Sequence, residues 1–311
     1  RSAPSGSRGP ADPGGSVTRG SEGGRRVGFQ GALGAFSEEA VRVLVPGAEP
    51  VPRATFEGVV RGVERGEEDA GVVPVENTLA GAVAEAYDAL EAGAVTVVGE
   101  VAIPIRHCLL GVPGATVEGL REARSHPVAL SQCRGFFAAH PAVRAQAVYD
   151  TAGAAQEVAA AGDRGVAAIA SRAAGERYGL EVLRADLQDR DDNQTRFYLV
   201  VRDGEPAPDS ERAAGVLKTA CVFELENRPG ALHELLGVFA GRGLDLTHVA
   251  SRPAASPWTY RFILEFLHGS APAARPALEE AGALAARMRV LGTFAAWRPG
   301  ALPGPASSRR P

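Results

Sequence analysis

The chain has 311 residues, 45% of them hydrophobic, enough to bury a large core in two or three folding units of ~100–200 residues each. A formal net charge of −4 and a pI near 5.9 give no general attraction to nucleic acid or to an anionic membrane, so neither is an expected partner. Cys108, Cys133 and Cys221 are odd in number and widely spaced, which argues against a disulfide framework or a structural zinc site and fits a reducing, cytoplasmic setting.

Residues 1–25 are rich in Ser, Gly, Pro and Arg and are predicted to form a disordered head. They hold no apolar stretch of the kind a secretory signal needs, and no run in the chain approaches the ~20 apolar residues of a membrane helix. An Arg/Ser-rich organelle leader is the alternative reading of the head, against which stand Asp12 and Glu22.

From Arg26 short apolar runs alternate with helical patterns. Residues 27–29 read as a strand, and Ser37 as the N-cap of a helix through about Leu44, with Glu38 and Glu39 in its first turn. Thr55 caps a helix that carries Phe56, Val59, Val60 and Val63 at helical spacing. A strand is predicted over 70–75, a helix over 82–92, and an extended apolar stretch over 95–112 interrupted at Pro104. The unit then recurs: a strand ending before Ser125, a helix over 128–139, a strand over 147–149, a helix over 151–161, a strand over 166–170 and a helix over 171–178. Such alternation predicts an α/β fold with largely parallel sheets, here in two lobes meeting near 100–104 and again near 180–186. The apolar run 197–201 is a further strand, and residues 203–215 read as a linker. Beyond it come a strand over 216–225, a helix over 230–240, strands over 246–250 and 258–267, a helix over 271–286 and a strand over 289–297. That βαββαβ order is the ferredoxin-like split sandwich. Residues 299–311 are Pro/Gly/Ser-rich and predicted to be a disordered tail.

Ligand groups of α/β sheets collect at the carboxyl ends of strands, and several polar motifs fall there. The turn from Gly31 through Gly34 to Ser37 could offer backbone N–H groups to an anion, or be an ordinary strand–helix connection; it lacks the Gly-Lys-Ser/Thr ending of a nucleotide loop. Glu76-Asn77-Thr78 follows an apolar strand and either places a carboxylate and an amide on a cleft floor or caps the next helix. Ser125-His126-Pro127 is followed by Gln132-Cys133, and Asn193-Gln194-Thr195-Arg196-Phe197 sets a hydroxyl, two amides and a fixed cation where a polar loop becomes a strand. Asn227-Arg228-Pro229-Gly230-Ala231-Leu232 leads into a helix whose first N–H groups could hold a carboxylate, or is a plain helix entry with Pro near its start.

Together and in this order these motifs resemble the prephenate dehydratase family, including its arogenate-using relatives, over nearly the whole chain apart from its tails. The resemblance implies a two-lobed catalytic domain at about 26–202, like that of periplasmic solute-binding proteins, with the active site in the interlobe cleft. The split sandwich at about 216–298 looks like an ACT domain, the small module that pairs with a copy of itself and binds amino acids where the copies meet. The implied reaction is the loss of water and carbon dioxide from prephenate to give phenylpyruvate. Aromatisation drives it, and it needs no cofactor or metal. Thr195 is the candidate proton donor to the departing hydroxyl; Glu76 is the alternative if burial raises its pKa, and Asn77 stands beside them. Ser37, as a carboxylate contact, and Thr78, Ser125 and Gln132 are the implied substrate contacts. Arg196 pairs either with a substrate carboxylate or with Asp191 or Asp192; His126 is either a general acid or, as is commoner for a loop His before Pro, structural, and Phe197 reads as core. The implied effector is L-phenylalanine, held by Gly230, Ala231, Leu232, Ser251 and Arg252 in a homodimer or homotetramer. The family carries Glu-Ser-Arg-Pro where this chain has Ala250-Ser251-Arg252-Pro253, so a partner for the effector's ammonium is missing and weak inhibition is expected. Rival readings are an arogenate dehydratase and, from another class, a non-catalytic amino-acid or solute sensor.

Overall fold

The computed structural model describes residues 24–206, 215–254 and 259–297; most of the predicted head, residues 207–214 of the predicted linker and the predicted tail lie outside them. The first lobe begins with β1 (Arg26–Gln30), α1 (Phe36–Leu44), β2 (Glu49–Arg53), α2 (Phe56–Arg65) and β3 (Ala70–Asn77). It continues through β4 (Gly81–Ala82), α3 (Ala84–Ala92) and β5 (Val95–Pro104). Helix α2 starts where the Gly58 N–H donates to Thr55 Oγ1 at 3.0 Å, stops at Gly66 in the left-handed conformation, and buries Val59, Val60 and Val63. Helix α1 begins two residues earlier than expected: Ala35 is the N-cap, and Ser37 lies inside the first turn.

The chain crosses to the second lobe immediately after Pro104, so the predicted break in the 95–112 stretch is the point of crossing. There follow β6 (Cys108–Gly111), β7 (Glu122–Ser125), α4 (Pro127–Ser131), α5 (Arg134–Ala139), β8 (Arg144–Ala147), α6 (Thr151–Ala161), β9 (Val166–Ala170), α7 (Arg172–Tyr178) and β10 (Glu181–Arg184). The single helix expected over 128–139 is two, because the Asp189 carboxylate accepts the N–H groups of Arg134 and Gly135, both at 2.9 Å, and caps a fresh start there. The strand expected over 147–149 ends at Ala147 instead, leaving Tyr149 exposed beyond it.

The chain then returns to the first lobe as β11 (Gln194–Arg202), which inserts between β3 and β5 and runs antiparallel to both. The first sheet has the order β2-β1-β3-β11-β5 with β4 beside β3, and the second β10-β6-β9-β7-β8. Pairings β1 with β2 and β3, and β7 with β8 and β9, are parallel; those of β6 with β9 and β10 are antiparallel. Both sheets are therefore mixed rather than largely parallel, since strands that enter from the other lobe need no crossover helix.

The last unit comprises β12 (Leu217–Glu224), α8 (Ala231–Ala240), β13 (Asp245–Pro253), β14 (Tyr260–His268), α9 (Ala271–Leu284) and β15 (Arg287–Ala295), in the expected βαββαβ order, with its sheet ordered β13-β14-β12-β15. One face packs on α8 and α9 through Phe223, Phe239 and Phe266. The other packs on the first lobe, where Ala220, Val222, Ile263, Leu291 and Phe294 share a core with Val60, Tyr87, Tyr198 and Val200. Burial of such side chains contributes ~1.5–3 kcal/mol each, so this face joins the domains firmly. At Gly292 the backbones come so close that a Cβ would lie 2.0 Å from the Val97 carbonyl oxygen, which is why β15 carries glycine there.

Candidate active site

The carboxyl end of β3 and the start of β11 form the floor of the interlobe cleft. Thr195 pairs with Asn77 and Arg196 with Glu76, but Phe197 pairs with Pro74, leaving Val75 as an extra residue in β3. This bulge lets Pro74 and Asn77 both line the cleft beside Thr195 and Phe197, while Arg196 turns to the opposite face. The cleft encloses about 1040 Å³ and its walls come from both lobes.

A chain of amides orients Thr195. Asn77 Oδ1 accepts the N–H groups of Leu79 at 3.0 Å and Ala80 at 2.9 Å, which turns its Nδ2 toward Thr195 Oγ1 at 2.9 Å, Asn193 Oδ1 at 2.9 Å and the Gln194 carbonyl at 3.1 Å. Because Thr195 Oγ1 accepts from Asn77, its own proton is left to point elsewhere, and the open side is the cleft. With Asn193 Oδ1 engaged, Asn193 Nδ2 donates to Gln132 Oε1 at 2.9 Å; His107 Nε2 lies 3.0 Å from the same oxygen and so must carry the ring proton. Burial pushes the His107 pKa down, against the hydrogen bond to Gln132, which keeps the ring neutral. Gln132 thereby keeps its amide N–H groups for a ligand in the cleft it lines. Asn193 and His107 are not among the site residues expected from the sequence, although Asn193 opens the Thr195 motif and His107 closely follows the Pro104 break.

Ser37 lines the cleft in the first turn of α1, where the N–H groups of Phe36 and Ser37 precede any intrahelical acceptor and can receive a carboxylate. The Gly34 N–H is not open in this way, since it donates to Glu38 Oε2 at 2.6 Å. The second lobe grips this turn: Ser171 Oγ donates to the Gly34 carbonyl at 2.5 Å and Tyr178 OH to that of Leu33 at 2.8 Å. Gly34 adopts φ of 92°, and a Cβ there would meet Ala174 Cα at 2.7 Å.

Four expected contacts lie elsewhere. Ser125 is fully buried and donates to the Ile169 carbonyl at 2.6 Å, tying β7 to β9. Thr78 donates to the Asp192 carbonyl and accepts the Gln194 N–H, a staple on the returning chain outside the cleft. Arg196 pairs with neither Asp191 nor Asp192; it meets Glu76, Glu100 and Glu265 at the back of the sheet. The imidazole of His248, with Nδ1 3.5 Å from Oε1, and the Arg196 guanidinium hold the Glu76 pKa down at about 2 against the effect of burial, so Glu76 is a carboxylate and no proton donor. His126 caps α4 through Nδ1, which accepts the Val128 N–H at 3.2 Å, and burial lowers its pKa, so it lines the cleft as a neutral ring.

In the last unit Gly230 takes φ of 86° and opens α8, with Ala231 and Leu232 in its first turn. Ser251 is exposed on β13. Arg252 reaches Asp88 of α3 at 3.2 Å, and Ala250 packs against the core shared with the first lobe. A glutamate at 250 would therefore face the catalytic domain, so the weak inhibition inferred from its loss finds no support in this position.

The family model of prephenate dehydratase matches residues 27–205 and that of the ACT domain residues 219–283. The chain is 39% identical over 281 residues to arogenate dehydratase/prephenate dehydratase 2 of Arabidopsis thaliana, a chloroplastic protein, covering 86% of this chain and 72% of that one. It is 43% identical over 229 residues to arogenate dehydratase 2 of Petunia hybrida, of which it spans 57%. A solved prephenate dehydratase from Arthrobacter aurescens in complex with L-Phe superimposes with a TM-score of 0.78 at 30% identity, covering 87% of this chain and 90% of that one. These matches span both the two-lobed domain and the split sandwich, and the chain belongs to the prephenate dehydratase family, carbon–oxygen lyases, with an ACT domain at its carboxyl side.

Proposed function

We propose that the interlobe cleft converts prephenate to phenylpyruvate in phenylalanine biosynthesis, with Thr195 acting on the departing ring hydroxyl. The observation that carries this assignment is the Asn77 amide, which occupies a lone pair of Thr195 Oγ1 and leaves the hydroxyl proton for the cleft. As hydroxide leaves, charge grows on its oxygen, and a fixed donor stabilises that charge more than the ground state. An alcohol is too weak an acid to lose its proton outright, so Thr195 serves as a hydrogen bond or a short relay. The electrons of the breaking bond to the carboxylate flow into the ring and carbon dioxide departs. The first turn of α1 at Ser37 and the amide of Gln132 hold the side-chain carboxylate.

Arogenate, which carries an ammonium in place of the keto oxygen, is the second reading. Among the described residues no Lys or Arg lines the cleft, whereas Glu85 and Asp150 do, and that charge suits a substrate with an ammonium. Regulation by L-phenylalanine at the ACT domain, pairing of two copies and a cytosolic setting complete the proposal. β13 ends its sheet as an edge strand with Val249 exposed, a surface suited to pairing, and the three cysteines are free and buried. Turnover of prephenate and of arogenate by the purified protein, side by side with and without L-phenylalanine, tests the reading. Absence of product from both substrates would overturn it in favour of a binding protein.

A further inference from the structure

Alternation along β11 sends Thr195 into the cleft and Arg196 out of its back, where the regulatory domain meets it. Only 13% of the Arg196 side chain is exposed. Its Nη2 lies 2.8 Å from Glu265 Oε1 and 2.8 Å from Glu76 Oε2, and its Nη1 lies 3.0 Å from Glu100 Oε2. Glu265, fully buried on β14, also accepts the hydroxyls of Tyr198 and, at 3.2 Å, of Tyr87, both from the catalytic domain. Lys218, the sole lysine of the chain, comes across from β12 to Glu100 at 2.7 Å. Two fixed cations and three carboxylates are thus closed into one cluster spanning both domains.

Apolar contacts between the domains can slide, but a buried ion pair has one good geometry and no water to replace a lost partner. Any shift of the β12–β14 sheet must therefore carry Arg196 with it or break the pair. Arg196 shares a planar peptide with Thr195, so a displacement of the Arg196 backbone that follows its guanidinium would tilt that peptide and move Thr195 Oγ1 relative to Asn77 Nδ2, 2.9 Å away. We propose that Glu265 is a positioning residue for the dehydration: a carboxylate supplied by the regulatory domain that holds Arg196 from behind and so aims the Thr195 hydroxyl. This contact is the route by which the regulatory domain sets turnover. The inference rests on the dehydratase reading of the cleft.

The test is Glu265→Gln in the full chain, an isosteric change that removes the charge, with Glu265→Asp as the conservative companion. Kinetics on prephenate and arogenate are combined with amide hydrogen exchange of a peptide over 190–200, using one over 164–171 in the second lobe as the control. Misplacement of a reacting group on this scale costs up to ~100-fold in rate, so kcat should fall about 10- to 100-fold in Glu265→Gln, with KM within about threefold and exchange faster over 190–200 alone. Glu265→Asp should recover part of the loss in kcat. A lowered melting temperature with unchanged kcat and unchanged exchange would reduce Glu265 to a fastener between domains and overturn the proposal. If the parent protein turns over neither substrate, the dehydratase reading has failed, and unaltered exchange over 190–200 would then sink the positioning role by itself. Should Glu265→Gln not fold, Glu265→Asp decides: native kcat with the carboxylate drawn back by a methylene overturns the proposal.

Discussion

Replacing Thr195 with Val removes the hydroxyl while keeping a β-branched side chain suited to the strand. The structure indicates that the fold will bear the change. Asn77 Nδ2 has two hydrogens and three acceptors within reach, and after the substitution Asn193 Oδ1 at 2.9 Å and the Gln194 carbonyl at 3.1 Å remain to take them. No buried donor is orphaned, so the stability loss should be confined to one neutral hydrogen bond, ~0.5–1.5 kcal/mol. Turnover should respond quite differently. A donor acting mainly in the transition state is worth at least ~100-fold in kcat, about 2.7 kcal/mol, with a much smaller change in KM. Phenylpyruvate absorbance gives the rates and thermal melting gives the stability; Thr195→Ser, which keeps the hydroxyl, should retain most of the activity. A folded Thr195→Val variant with near-native kcat would refute the argument, and Glu76, held ionised, could not take over the role.

Other consequences can be measured on single variants. Ser125→Ala should cost ~0.5–1.5 kcal/mol of stability, because the buried Ile169 carbonyl loses a hydrogen bond, yet leave KM near native; a large rise in KM in a well-folded protein would return Ser125 to the cleft. Tyr149→Phe removes the 2.7 Å bond from the second lobe to the Ala54 carbonyl of the first and should raise KM about 2- to 12-fold, the equivalent of one neutral hydrogen bond; unchanged substrate kinetics would show that the contact plays no part in closing the cleft. The Glu76 pKa of about 2 lies below its ordinary 4.5, so its pairing stabilises the fold fully above pH ~4.5 and fades as the pH falls toward 2. The melting-temperature gap between the native protein and Glu76→Gln should accordingly narrow below about pH 4; a gap that stays unchanged down to pH ~2 would contradict the ionised state assigned to Glu76.

Local signals were legible wherever local chemistry decides the structure. Asp150 capping and Gly162 closing fix α6 at Thr151–Ala161, the span expected from the residues alone, and the βαββαβ unit emerges in the expected order. What escaped the sequence depends on contacts distant along the chain. That β11 would enter between β3 and β5 is decided by tertiary pairing, so the sheets came out mixed. A strand pattern says that Thr195 and Arg196 point opposite ways without saying which of them meets the cleft. Here the bulge at Val75 and the docking of the regulatory domain settle it, and Arg196 proved to pair with Glu76 on the neighbouring strand and, across the domain interface, with Glu265. Likewise Asp189, more than fifty residues downstream in the chain, splits the helix that periodicity joins. Which way each motif residue faces required the fold.

The lobes are joined by two stretches of chain, one leaving β5 after Pro104 and one returning into β11, and the Ile105 N–H donates to the Asn193 carbonyl at 2.8 Å where they run side by side. A rotation of one lobe against the other must take its axis through this pair, because nowhere else does the backbone pass between them. Thr195 is two residues from Asn193 and so lies close to that axis, whereas Tyr149 meets the first lobe on the far side of the chain crossing, at the Ala54 carbonyl. The doorway can therefore gape to admit a substrate or release a product while the donor and its amide partner stay assembled at the pivot, so that catalytic geometry does not have to be rebuilt with each turnover.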